Sequence, residues 1–119
     1  MATILVNATH GPEDPERATL AFIVGNVAAT ADQDAVVLLT IDGAWLAVRG
    51  RAESVEHPGM PALRDVIAQY TAAGGRIWVC GACAKPRGIV QEDLIDGATI
   101  ATAAQAVELL ASGAGSLTF

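Results

Sequence analysis

Seven consecutive residues, Ala35-Val36-Val37-Leu38-Leu39-Thr40-Ile41, are apolar at nearly every position and too few for a helix of ordinary length. A strand with no polar face belongs inside a parallel sheet covered on both sides, and that requirement constrains the chain more than any other stretch does. Thr3-Ile4-Leu5-Val6-Asn7-Ala8 and Arg76 to Cys80 read as shorter strands of the same kind. The segments between them supply the cover. Asp14, Pro15 and Glu16 stand in helix-start order: N-cap, first-turn proline and early acid. The helix they open carries Ala18, Ala21, Phe22, Val24, Gly25 and Ala28 before giving out at Asp32-Gln33-Asp34. A second helix, opened by Pro61, repeats Leu63, Val66, Ile67 and Tyr70 at helical spacing until Gly74-Gly75 stops it.

Smaller elements fill the intervals. Asp42 is placed to cap a short helix from Gly43 to about Arg49 that carries Trp45, Leu46 and Val48, and Gly50 to Gly59 reads as a loop. Gln91 to Ile95 suits a single helical turn and Ala98-Thr99-Ile100 a very short strand. Thr102 and Gln105 have capping-box spacing for a final helix to about Ala111, and Ser116 to Phe119 closes the pattern as a strand. Strands separated by helices at short intervals specify parallel β-α-β units. The expected fold is therefore α/β, three-layer and flavodoxin-like, with about five strands in a mostly parallel sheet, helices on both faces, and a single domain over residues 1–119. Ligand crevices in such sheets lie beyond the carboxyl ends of the strands, where Asn7 to Gly11, Asp42 and Cys80 to Cys83 all fall.

Charge and composition narrow the partners. A formal charge of −6 with seven scattered Lys and Arg argues against nucleic acid, which needs a clustered basic face. No apolar run approaches the ~18 residues of a membrane span, and no signal-peptide pattern follows Met1, so no membrane association is expected. Two cysteines without a disulfide framework suit a reducing, cytoplasmic setting. Charged residues make up 17% of the chain, against roughly 25% in an ordinary soluble domain. So few charges leave uncharged surface patches of the kind that become subunit contacts, and a homo-oligomer is expected.

The chemistry concentrates after the third strand. Cys80 and Cys83 are the only cysteines; Lys85, the only lysine, and Arg87 follow within seven residues of Cys80, a local reversal of sign in an acidic chain. Neighbouring cations favour thiolate over thiol, and the thiolate is the nucleophile. The competing reading is that Cys80 is a small buried hydrophobe, as free cysteines commonly are. The C-x-x-C spacing also occurs in redox pairs and in half of a zinc site. A closed zinc site needs four ligands, and the remaining candidates, His10 and His57, are not in ligand spacing, so no metal is expected. His10, after the first strand, shares the sheet edge with Cys80 as a candidate acid, base or anion contact, or stands there as a solvated turn residue. Glu13, Asp14 and Glu16 are explained by the dipole of the helix they begin; Trp45 and Leu46 belong to the core or line the site or an interface, and Trp78, inside a strand, is expected in the core. Neither G-x-G-x-x-G nor a Walker A pattern is present, and the first loop is proline- and acid-rich, so no nucleotide or flavin cofactor is expected.

Val79-Cys80-Gly81-Ala82-Cys83-Ala84-Lys85-Pro86-Arg87-Gly88-Ile89 resembles the cysteine segment of the DsrE/DsrF-like family, which includes the TusD-type sulfur-relay subunits. The likeness continues through Gly11 to Ala18, Asp42-Gly43-Ala44-Trp45-Leu46 and Gly74-Gly75. Cys80 stands eight residues ahead of Gly88, the position of that family's cysteine. The resemblance implies a cytoplasmic subunit assembled as trimers or hexamers, whose cysteine accepts sulfane sulfur as a persulfide from a donor protein and passes it to an acceptor. Cys83 has no necessary counterpart among the relay subunits, which work as hetero-oligomers. The expected roles are attacking and carrying thiol for Cys80, resolving thiol for Cys83, and electrostatic support from Lys85, Arg87 and His10. The alternative is a non-catalytic, small-ligand-binding or structural oligomer in which the cysteines are incidental.

Overall fold

A computed structural model describes residues 1–119. Strands β1 (Thr3–Ala8), β2 (Asp34–Leu39), β3 (Arg76–Cys80), β4 (Ala98–Ala101) and β5 (Gly115–Thr118) form one sheet in the order β4-β3-β2-β1-β5. Every neighbouring pair is parallel. The layers are those expected; the order is not written in the sequence pattern, and it differs from the 2-1-3-4-5 of flavodoxin itself.

Strand order fixes where the helices go. From β1 to β4 each connection steps to the next strand in the same direction, so right-handed crossovers place α1 (Pro15–Thr30) and α2 (Leu63–Ala72) on one face. Return from β4 to β5 runs back across the sheet and carries α4 (Ala103–Ala111) over the other face. The core lies on the α1 and α2 side, where Val6, Val37, Leu39, Ile77 and Val79 meet Phe22, Leu63 and Tyr70. Tyr70 is fully buried with its ring edge-on to Phe22 at 5.7 Å, and its hydroxyl sits 2.6 Å from the Arg76 carbonyl and 3.1 Å from that of Ala35. Burial holds this phenol un-ionised well above the usual tyrosine range.

The second face is thinly covered. No residue of α4 is buried, and β5 is exposed throughout. Trp78 is consequently half-buried on this face, not in the core: strand alternation sends Ile77 and Val79 inward and Trp78 outward, where the Arg76 guanidinium lies 5.5 Å over its ring.

Local signals at helix ends mostly hold. The Asp14 side chain accepts from Arg17 N at the start of α1, and Thr102 with Gln105 forms the capping box of α4. The helix expected from Gly43 to Arg49 is instead a 3-10 run over Ile41–Ala47 with Thr40 at its boundary. Asp42 lies inside its first turn and does not cap it, because its carboxylate is drawn away to Arg87. α2 begins at Leu63, two residues after Pro61.

Candidate functional site

Two glycines allow the loops after β1 and β2 to touch backbone to backbone. A Cβ on Gly11 would overlap the Asp42 carbonyl, and one on Gly43 would overlap the Ala8 carbonyl. This contact sets the start of the 3-10 helix against β1, with Thr40 N donating to Ala8 O at 2.9 Å. Ile41 then takes a left-handed φ of 54°, a strained conformation for a β-branched residue.

β3 delivers Cys80 to the edge of the sheet. As the strand's last residue it shares the outward parity of Trp78, pairs in register with Ala101 of β4, and leaves Thr40 beside it one row beyond the Leu39–Val79 pair. Beyond Cys80 the chain turns through the four-residue helix α3 (Gly81–Ala84) and sends Cys83, Ala84 and Ile89 to the α1 side. The connection after β4 leaves on the opposite side. A crevice opens where neighbouring strands send their connections to opposite faces. Here it is a cleft of about 240 Å³ lined by Leu38, Thr40, Cys80, Ala101, Thr102, Ala103, Ala106 and Val107.

The cysteines occupy different surroundings. Cys80, half-buried, opens on the cleft, while Cys83, also half-buried, packs against the core; both are free thiols. Burial pushes the Cys83 thiol above its ordinary value, and the adjacent Cys80 sulfur adds to that rise; the Ile41 amide and the Arg87 charge act in the opposite sense. The Cys83 thiol therefore holds its proton more firmly than a free cysteine does.

The remaining expected residues are distributed unevenly. Arg87 donates to Asp42 Oδ1 at 3.0 Å and to the Cys83 carbonyl at 3.1 Å, so it ties the cysteine loop to the 3-10 helix and directs its charge at Cys83. Lys85 is exposed and pairs with no carboxylate. His10 does not line the cleft; its Nδ1 is 2.8 Å from Glu13 Oε2. His57 faces Glu16 at 3.5 Å, and no three His, Cys, Asp or Glu side chains gather where they could hold a metal. Hydrogen bonds from Arg17 hold the Asp14 carboxyl below its ordinary value, in keeping with its capping role. Trp45 is half-buried, with the Arg51 guanidinium 4.4 Å above its ring.

Leu38, Thr40 and the first half of α4 were not singled out by sequence. The available signal was indirect: if β4 lies beside β3, the turn after β4 must lie beside Cys80.

A model of the DsrE/DsrF-like family matches residues 2–119. Among curated relatives, the uncharacterized protein MJ0760 of Methanocaldococcus jannaschii is 34% identical over 99 residues, 83% of this chain; the chain spans only 36% of that relative's length. Among solved structures, the ychN protein from E. coli has a TM-score of 0.75 at 24% identity, with all of both chains covered. MTH1491 of Methanobacterium thermoautotrophicum, a protein of unknown function, has a TM-score of 0.76 at 16% identity, again over all of both chains. At these identities the two structures speak for the fold alone. No helix is long and apolar enough to cross a membrane.

Proposed function

The chain belongs to the DsrE/DsrF-like family, which is linked to sulfur relay, and from that membership we propose that it carries sulfane sulfur as a persulfide on Cys80. The observation that supports this most is the placement of Cys80 at the rigid end of β3, open to a cleft, with a second thiol beside it that retains its proton. In the loading step the Cys80 thiolate attacks the outer sulfur of a donor R–S–SH. A bond forms between Sγ and that sulfur, the donor's S–S bond breaks, and R–S⁻ leaves with the electron pair and takes a proton. Nothing is oxidised overall. An acceptor thiolate attacking the outer sulfur completes the transfer. Alternatively, the Cys83 thiolate attacks Cys80 Sγ, expels HS⁻ and leaves a Cys80–Cys83 disulfide that a dithiol reductant must reopen. A reducing, cytoplasmic setting would supply that reductant. Arg87 fixes the loop and acts on Cys83, leaving Lys85 as the exposed, unpaired cation nearest in sequence.

Mass spectrometry after treatment with a persulfide donor tests the assignment. Wild type should gain one sulfur on Cys80, Cys80→Ser should gain none at Cys83, and Cys83→Ser should hold the added sulfur longer. Because the Cys83 pKa is raised, its attacking thiolate becomes available only as pH climbs past the ordinary thiol range. Loss of the wild-type persulfide should therefore accelerate with pH, while that of Cys83→Ser responds much less. Equal labelling of wild type and Cys80→Ser would refute the role of Cys80.

Self-association is part of the same reading. Leu110 on α4 and Leu117 on β5 are 42% and 53% exposed, and Val27 and Val90 are exposed as well. A homo-oligomer follows, with a trimer or a multiple of it taken from the family resemblance. Light scattering at micromolar concentration should give a multiple of 12.2 kDa, and a monomer mass would rule the assembly out.

A further inference from the structure

The cleft beside Cys80 is chemically one-sided. Leu38, Ala101, Ala103, Ala106 and Val107 give it hydrocarbon walls, and no charged side chain lines it. Its two hydroxyls are already engaged: Thr40 donates to Asn7 Oδ1 at 2.8 Å, and Thr102 lies within hydrogen-bond distance of both Gln105 N and Gln105 Oε1. Of the two cations near in sequence, Arg87 is bound to Asp42, and Lys85 is outside the lining. An anion entering would leave water for walls that offer it no counter-charge, in a chain of net charge −6. An uncharged body meets no such penalty. The volume is ample as well, since an apolar cavity of about 150 Å³ already accepts benzene and this one measures about 240 Å³.

We propose that this cleft selects sulfur compounds with a small, uncharged, apolar body, alkyl or aryl persulfides as donors and the matching thiols as acceptors, over anionic donors such as thiosulfate. The inference rests on the carrier reading of Cys80 for its chemistry and on the cleft for its selectivity. The step is the loading exchange with R an apolar group: Cys80 Sγ bonds to the outer sulfur, the donor's S–S bond breaks, the departing R–S⁻ takes a proton from water at the open mouth of the cleft and leaves as the neutral thiol, and no external oxidant or reductant takes part.

Two readouts on the full, reduced chain keep cleft and carrier apart. The first is alkylation of Cys80, followed by peptide mass spectrometry, with N-benzylmaleimide and with a maleimide bearing a carboxylate. After division by the same ratio on an unfolded cysteine peptide, the benzyl reagent should be favoured at least about ten-fold. Val107→Asp, at a position 64% exposed and thus tolerant of a polar side chain, should cut that preference at least about five-fold. The second readout is sulfur loading of Cys80 by benzyl persulfide against thiosulfate, with the same order expected. Absence of any benzyl preference in alkylation overturns the proposal. A preference for thiosulfate would also overturn it, by showing that the first-turn amides of α4 govern the cleft. Alkylation preference retained without loading by either donor would instead sink the carrier reading, and with it the assignment of persulfides as the class selected.

Discussion

Gly43→Ala should be strongly disruptive at the site. Its Cβ would overlap the carbonyl oxygen of Ala8, a backbone atom at the end of β1 that cannot rotate away, and would come within 3.0 Å of that residue's carbonyl carbon. Relief requires the 3-10 helix to move off β1, which breaks the Thr40 N to Ala8 O bond and carries Asp42 away from Arg87. Overpacking of this kind costs typically about 1–3 kcal/mol and occasionally more, and contact with fixed backbone belongs at the upper end. At about 4 °C per kcal/mol for a domain of this size, the thermal midpoint should fall by about 10 °C. Because Cys83 packs where the helix would withdraw, its alkylation at neutral pH should quicken in the same variant. An unchanged midpoint together with unchanged Cys83 reactivity would show that the two loops are not held by this contact.

A loss of similar size is expected from Gly75→Ala, for a different reason. The added methyl would enter the ring of Tyr70, which is held by its hydroxyl against the Arg76 and Ala35 carbonyls and by its edge against Phe22. Gly75 cannot retreat, since its own amide donates to Tyr70 O at 2.9 Å. Expulsion of the ring takes the phenol donor from the buried Ala35 carbonyl and the part-buried Arg76 carbonyl, so about 2–4 kcal/mol of stability should be lost. A double-mutant cycle separates this cause from a general loosening. Tyr70→Phe alone should cost about 1–2 kcal/mol through its hydrogen bond. In the Gly75→Ala background, where the hydroxyl has already left its partners, it should cost far less. Additive losses in urea denaturation would mean that the ring stays seated and the methyl is accommodated elsewhere.

Both glycines stand in the sequence without any mark of this role. What the residue pattern reveals is what a local period or cap can encode. Ala35 to Leu39 has no polar position and could only be interior; Asp14 before Pro15 and Thr102 before Gln105 are complete capping signals within four residues. Cys80 could be placed at a strand end by counting from Gly75. Three things lie beyond such local information. Asp42 looks like a cap until its partner Arg87, 45 residues away, is brought beside it. Trp78 looks like core until its parity and the thin cover of its face are known. The cleft itself depends on β4 lying next to β3 while the two connections diverge, a property of strand order that no short window contains.

That order has a counterpart in time. β1, β2, β3 and β4 are laid side by side in the sequence in which they are made, each against the one before, so most of the sheet can zip as a series of short loop closures. β5 alone must travel back past three strands to its place outside β1, where Phe119 N bonds to Asn7 O and Thr9 N to Phe119 O, both at 2.9 Å. Until that late docking, α4 has no fixed far end and cannot settle over Leu38 and Cys80. On this topology the strand that carries the thiol is expected to pair before its enclosure forms. A chain paused before β5 would present a reactive cysteine on an unroofed apolar sheet, a species open to off-pathway chemistry as well as to aggregation.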